Sequence, residues 1–240
     1  MSYLRKNKRQ YNEIREVTVY KDYCPNALGS VLYQCGNTQV ICAVSCSTQV
    51  PQHALDKGAG WLTAEYTLLP YATDPRTERN RIKPDGRSME IQRLIGRCLR
   101  TVLDLAAIQN ISFIVDCDVL QADGGTRTAA ITGAYIALQI AIQKLIHRNV
   151  IDVNPVIARV AAISVGYIGD SLLLDLDYAE DSQCDVDMNL VMDSNYQIIE
   201  IQGAGEKRSY SFHELDSMIT IAKNGIEKLF QIQNEILKLC

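Results

Sequence analysis

One stretch, Ile111 to Ile142, constrains this chain more than any other. The run Ile111-Ser-Phe-Ile-Val-Asp-Cys-Asp-Val-Leu120 is short, apolar and rich in β-branched residues, the pattern of a buried strand. It breaks at Gln121-Ala-Asp-Gly-Gly-Thr-Arg127 and resumes at Thr128 as an Ala-rich helix, apolar on most sides. A strand, a tight Gly-Gly turn and a buried helix must leave backbone N–H groups without partners at the helix start. That end also carries a partial positive charge, so it suits an anion. Arg127 adds a planar guanidinium that can grip phosphate oxygens in pairs. The same residues also make a plain turn capped by Asp123, and the pattern alone does not separate the two readings.

Charge is segregated along the chain. The net charge of −4 argues against a surface that binds nucleic acid everywhere. Yet from Arg76 to Arg100 eight basic residues (76, 79, 81, 83, 87, 93, 97, 100) face three acidic ones (78, 85, 90). From Asp170 to Asp187 seven acids (170, 175, 177, 180, 181, 185, 187) stand without a Lys or Arg. Such a chain can grip a polyanion in one place and a cation in another, although solvated faces also produce runs of this kind.

The order of elements predicts a mixed α+β layered domain over residues 1–240, with 1–11 a poorly ordered N-terminal segment. Strands are predicted at 15–20, 29–35 and 38–45, the last two joined by a Gly36-Asn37 hairpin. Residues 47–61 read as loop, and 71–88, broken by Pro75, Pro84 and Gly86, as an exposed basic loop. A helix from Met89 to about Ile108, N-capped by Ser88, would carry a basic stripe of Arg93, Arg97 and Arg100, with Arg87 just outside it. Strands follow at 156–168, 172–177, 186–192 and 197–202. The capping box Ser211-Phe-His-Glu214 then opens a final helix.

The eight cysteines lack a CxxC pair and sit mostly in apolar runs, so they read as buried reduced thiols and a zinc site is unlikely on this spacing. No signal peptide, no membrane-spanning apolar run and no Walker A loop is visible, and the compartment reads as cytoplasmic. The clustered Asp175, Asp177, Glu180, Asp181, Asp185 and Asp187 repel one another unless they face water or a cation, and hard oxygen ligands suit Mg²⁺. An acidic hairpin loop in solvent is the plainer alternative. Together these parts suggest chemistry on a phosphate group, without saying which.

Three segments carry a resemblance: Gln121-Ala-Asp-Gly-Gly-Thr-Arg-Thr128, Gly86-Arg-Ser-Met-Glu-Ile-Gln-Arg-Leu-Ile-Gly96 and Asp181-Ser-Gln-Cys-Asp-Val-Asp-Met-Asn189. They are similar to the signature segments of the ribonuclease PH family, and Gly60-Trp-Leu-Thr-Ala-Glu-Tyr66 agrees. The resemblance covers roughly residues 12–237. It implies an α+β fold like the second domain of ribosomal protein S5, and a phosphate-dependent 3′→5′ exoribonuclease and nucleotidyltransferase. Such an enzyme trims tRNA precursors, and possibly ribosomal RNA, releasing nucleoside diphosphates and adding nucleotides in reverse.

The resemblance also implies Mg²⁺, inorganic phosphate as co-substrate and a homohexamer built as a trimer of dimers. It places phosphate on Arg87, Gly125, Thr126 and Arg127, and the metal and general-acid roles on Asp181 and Asp187. The RNA backbone would meet Arg76, Arg79, Arg81, Arg93 and Arg97. Tyr71 stands where the family usually has a basic residue, and the loop before Gly86 is slightly shorter. Lys6-Asn-Lys-Arg-Gln10 replaces an Arg-x-x-Gly-Arg-like opening.

Overall fold

Alternating side chains build the first sheet. In the computed structural model, which describes residues 3–79 and 85–238, five strands pair in the order β1-β2-β3-β5-β4. They are β1 (Val17–Lys21), β2 (Gly29–Cys35), β3 (Thr38–Ser47), β4 (Trp61–Leu68) and β5 (Ser112–Gln121). Val40, Cys42 and Val44 on β3 and Phe113, Val115, Cys117 and Val119 on β5 are buried on one face, as a two-residue period dictates. The hairpin closes across Gly36-Asn37, with Cys35 opposite Thr38 and Gly36 at φ 56°. Among the described strands, only the β4–β5 pair is parallel. The second sheet is antiparallel, in the order β7-β6-β8-β9: β6 (Val160–Ile168), β7 (Ser171–Leu174), β8 (Val186–Asp193) and β9 (Ile198–Ala204).

The helices are α1 (Gln52–Leu55), α2 (Gly86–Thr101), α3 (Thr126–His147), α4 (Tyr178–Asp181) and α5 (Phe212–Lys238). α3 packs on β2, β3 and β5 of the first sheet and on β6 of the second. Being covered on all sides, it has to be apolar all round, and its composition would also pass for a membrane span. Gly133 at its centre lets the first sheet approach: a Cβ there would lie 2.8 Å from Tyr33 Cβ and 2.9 Å from Cys42 Sγ. α5 covers β6, β7 and β8, while α2 packs on β4 and reaches β9.

Three local expectations need correction. Asp85, not Ser88, caps α2: its Oδ1 accepts from the Ser88 N–H at 2.7 Å. Arg87 therefore lies in the first turn of the helix. α2 also ends at Thr101, because Leu103 pairs with Val156 and Asp104 caps a separate 3₁₀ turn, Leu105–Ile108. Arg100 leaves the basic stripe. It donates to the Leu62 carbonyl at 2.8 Å and lies over the Trp61 ring at 4.7 Å. The capping box of α5 forms as read.

Where the sequence reading expects poor order, the described part of 1–11 is tied down. Arg5 is 3% exposed and donates twice to Glu180, at 2.7 Å each. Arg9 reaches the same carboxylate, its Nη2 donating to Glu180 Oε2 at 3.4 Å, and Lys8 turns the chain between the two arginines. That lysine sits at φ 63°, a backbone glycine adopts freely.

Gly133→Val is expected to destabilise the fold by about 1–3 kcal/mol through overpacking between α3 and β2–β3. Thermal unfolding checks this; a midpoint equal to the parent's would refute the close packing.

Candidate active site

The turn after β5 is held from beneath. Gly124 and Gly125 take φ 74° and 62°, and a Cβ on Gly124 would lie 2.6–2.7 Å from the Leu176–Tyr178 backbone. The Thr38 hydroxyl accepts from the Asp123 N–H at 3.0 Å and donates to the Gly124 carbonyl at 2.7 Å. Arg15 Nη1 donates to the Asp123 carbonyl at 2.8 Å and the Gly124 carbonyl at 3.3 Å. Arg15 is itself gripped by Asp175, with Nη2 to Oδ1 at 2.7 Å and Nε to Oδ2 at 3.1 Å. Burial works against the Asp175 charge, but Arg15 outweighs it and holds the carboxyl below its usual range. With the loop carbonyls occupied below, the amides that open α3, which have no intrahelical acceptor, are the groups left for a ligand. Thr126 offers its backbone N–H here, and its hydroxyl, which accepts from Tyr66 at 2.9 Å, keeps its own proton to donate.

The seven acids between 170 and 187, which lack a nearby cation in sequence, are sorted by the fold. Asp175 is taken by Arg15, with Arg9 at 3.6 Å. Glu180 is taken by Arg5. Asp177 caps α4 and accepts from Asn7, and Asp185 accepts from the Gly169 N–H at 2.8 Å, with Lys207 at 3.9 Å. Asp170 lies exposed on a turn. Asp181, at the end of α4, and Asp187, at the start of β8, make no ion pair among the described residues, and Asp187 Oδ1 is buried with no hydrogen-bond partner.

Burial pushes the Asp181 carboxyl up against the pull of Arg87 and Arg127. Burial raises Asp187 too, and Asp181 and Glu206 add to the rise. Two neighbouring carboxylates, one exposed and one partly buried, that resist ionising together fit a divalent cation. Among the described residues no group of three or more His, Cys, Asp or Glu forms a closed metal cage. A Mg²⁺ that keeps several waters needs only one or two.

Both sets of groups open into one cleft of about 540 Å³. It is lined by Arg87, Gly124, Gly125, Thr126, Arg127, Asp181 and Asp187, with Thr73, Thr77, Tyr178 and Asn189 around them. The fold thus gathers every residue expected at the phosphate and metal sites. It does not bring the expected RNA contacts into that cleft. Arg93 and Arg97 line a neighbouring hollow of about 390 Å³ with Glu90 and Gln202, where Arg97 pairs with Glu200 at 3.0 Å. Arg76 and Arg79 are exposed on the loop that follows β4, and Arg81 lies outside the described residues. The sequence reading missed Arg15, Thr38, Tyr66 and Gln202. No motif marks them, since each acts across the fold.

Comparison with known proteins agrees along the chain. The 3′ exoribonuclease family matches in two parts, its domain 1 over residues 13–143 and its domain 2 over residues 158–225. The ribonuclease PH of Crocosphaera subtropica is 46% identical over 237 residues, 99% of each chain. That of Bacillus velezensis is 48% identical over 237 residues, covering 98% of this chain and 97% of its own. At lower identity the α+β fold with mixed sheets recurs. Rice (Oryza sativa) Rrp46 gives a TM-score of 0.80 at 19% identity, covering 98% of this chain and 100% of that one. The Archaeoglobus fulgidus exosome with RNA bound to the active site gives 0.80 at 24%, covering 95% and 91%.

Arg15→Met, which strands Asp175, is expected to cost about 3–5 kcal/mol at neutral pH. The sign follows from the depressed Asp175 carboxyl. Its contribution is full above the unfolded value of 3.8 and is lost as pH falls through the lower folded value. The gap between parent and variant in denaturant unfolding should therefore narrow in acid; a gap independent of pH would contradict the pairing.

Proposed function

We propose, on the premise that this chain belongs to the ribonuclease PH family, that its cleft seats inorganic phosphate beside an RNA 3′ end. The chain is a phosphorolytic 3′→5′ exoribonuclease of tRNA precursors, a tRNA nucleotidyltransferase, with RNA and phosphate as its substrates. The observation that supports the site is the meeting of an anion-binding loop and two uncompensated carboxylates in one cleft.

In phosphorolysis an oxygen of phosphate bonds to the phosphorus of the terminal phosphodiester. The bond to the preceding 3′ oxygen breaks, leaving a nucleoside diphosphate and a shortened RNA with a 3′ hydroxyl. Phosphate is a solvated, weak nucleophile. Arg87, Arg127 and the amides of Gly125 and Thr126 strip and aim it. The departing 3′ oxygen needs a proton, and the general-acid role falls to the pair Asp181 and Asp187, whose carboxyls burial pushes up. The same two side chains would hold Mg²⁺, which when bound supplies positive charge against that growing on the scissile phosphate.

Arg76, Arg79, Arg81, Arg93 and Arg97 would hold the RNA backbone without reading sequence. The exposed Arg97–Glu200 pair is worth little and can be exchanged for a phosphate contact. Ribosomal RNA as a second substrate, a homohexamer built as a trimer of dimers, and a cytoplasmic setting belong to the same proposal. So does a single folding unit over the whole chain, supported by α3 serving both sheets.

The decisive assay uses a tRNA with extra 3′ nucleotides and Mg²⁺, with and without phosphate. Nucleoside diphosphates are expected only when phosphate is added. Monophosphates in either buffer would mean a hydrolase, and no product would mean a silent ring subunit. Arg127→Ala should lower phosphorolysis by about 10²–10³-fold with assembly unchanged; normal turnover at low phosphate would sink the assignment. Asp187→Asn should abolish turnover yet raise the thermal midpoint in Mg²⁺-free neutral buffer, since it removes a carboxylate whose charge burial disfavours. The gain should shrink as acid protonates the parent's carboxyl.

A further inference from the structure

Arg127 is not free to choose its orientation. Its Nη1 donates to Gln202 Oε1 at 2.6 Å, and Gln202 Nε2 donates to Glu90 Oε1 at 2.8 Å. Glu90 Oε2 lies 3.7 Å from Arg127 Nη1 and closes the triangle. An amide can present either its oxygen or its nitrogen to a neighbour. A carboxylate can only accept, and a guanidinium can only donate. Set between Glu90 and Arg127, the Gln202 amide therefore has one satisfactory orientation, nitrogen toward Glu90 and oxygen toward Arg127.

The three residues come from α2, α3 and β9, so the triangle ties the first half of the chain to the edge of the second sheet. Glu90 also follows Arg87 by three positions on α2, the spacing that puts two side chains on one face of a helix. One helix face thus presents one phosphate-facing arginine and the carboxylate that fixes the other. The triangle uses one nitrogen of Arg127, Nη1, and leaves Nε and Nη2, an edge with the geometry for a two-point grip on phosphate oxygens.

We infer that Gln202 and Glu90 are positioning residues for phosphate, holding the Arg127 guanidinium with its free edge toward the phosphate site. Neither touches the reacting atoms. Glu90 works through Gln202, and Gln202 works through Arg127. The inference rests on Arg127 gripping phosphate, as proposed above, and extends it to two side chains that hold it there. Its signature is selective: the pair affects how well phosphate is seated and leaves the RNA strand alone. A merely structural pair would change stability, or change both substrates alike.

The test is steady-state phosphorolysis on the assembled enzyme with Mg²⁺, varying phosphate and RNA separately, together with calorimetric titration of the RNA-free enzyme with inorganic phosphate. Gln202→Ala should raise the KM and the dissociation constant for phosphate about tenfold, with the KM for RNA within about twofold of the parent. Glu90→Gln, which can still accept from Gln202 through its own amide oxygen, should behave close to the parent, while Glu90→Ala should follow Gln202→Ala. Equal shifts for phosphate and RNA, or an unchanged phosphate constant in Gln202→Ala, would overturn the inference. Arg127→Ala separates the two claims. If it leaves the phosphate constants unchanged, the phosphate site itself is misassigned. If it shifts them and Gln202→Ala does not, only the positioning role fails.

Discussion

The buried pair of Arg15 and Asp175 is the interaction on which the site depends. Both side chains are at most 5% exposed, and a buried ion pair gives back in attraction little more than it loses in desolvation. Its importance lies in what it specifies. Arg15 belongs to the approach to β1, Asp175 to the end of β7, and the carbonyls that Arg15 also holds belong to the turn before α3. One guanidinium therefore joins three segments far apart in sequence. It leaves the turn with its acceptors filled and its donors facing the cleft. A cation placed behind the turn adds to the positive end of α3.

The same logic of compensation explains the carboxylates. A run of seven acids would be costly if they stayed together. The fold supplies Arg5, Arg9, Arg15, Asn7, a backbone amide and Lys207 from elsewhere to the four that are neither exposed on a turn nor left in the cleft. Asp181 and Asp187 receive no such partner among the described residues, and burial pushes both carboxyls up. Sites that keep charges under strain are where local stability is given up for chemistry.

The cleft lies where the two halves of the chain meet. The turn before α3 and the start of α2 bring Gly125, Thr126, Arg127 and Arg87 from the first half, while α4 and β8 bring the carboxylates from the second. α3 makes this meeting rigid because both sheets pack on it. A reaction that pairs an attacking anion with a charged leaving group needs donors and acids on opposite sides of one phosphorus. The two-sheet fold around a shared helix brings groups from both halves of the chain to one cleft.

The sequence by itself determined the local elements and the chemistry-bearing motifs. The Gly36-Asn37 hairpin signal marked β2 and β3, a short β-branched apolar run marked β5, the Gly-Gly turn marked the start of α3, and Arg87, Arg127, Asp181 and Asp187 stood out by type and spacing. These signals survive in one dimension because strand period, glycine backbone and helix caps act over a few residues. Tertiary structure decided what those residues face. It made Asp85 the cap of α2 in place of Ser88, turned Arg100 onto Trp61, and divided one acidic run into paired and unpaired members. It also found Arg15 for the turn and Gln202 for Arg127. Each of these choices pairs groups distant in sequence, and a charge or amide carries no mark of its partner until burial brings the two together.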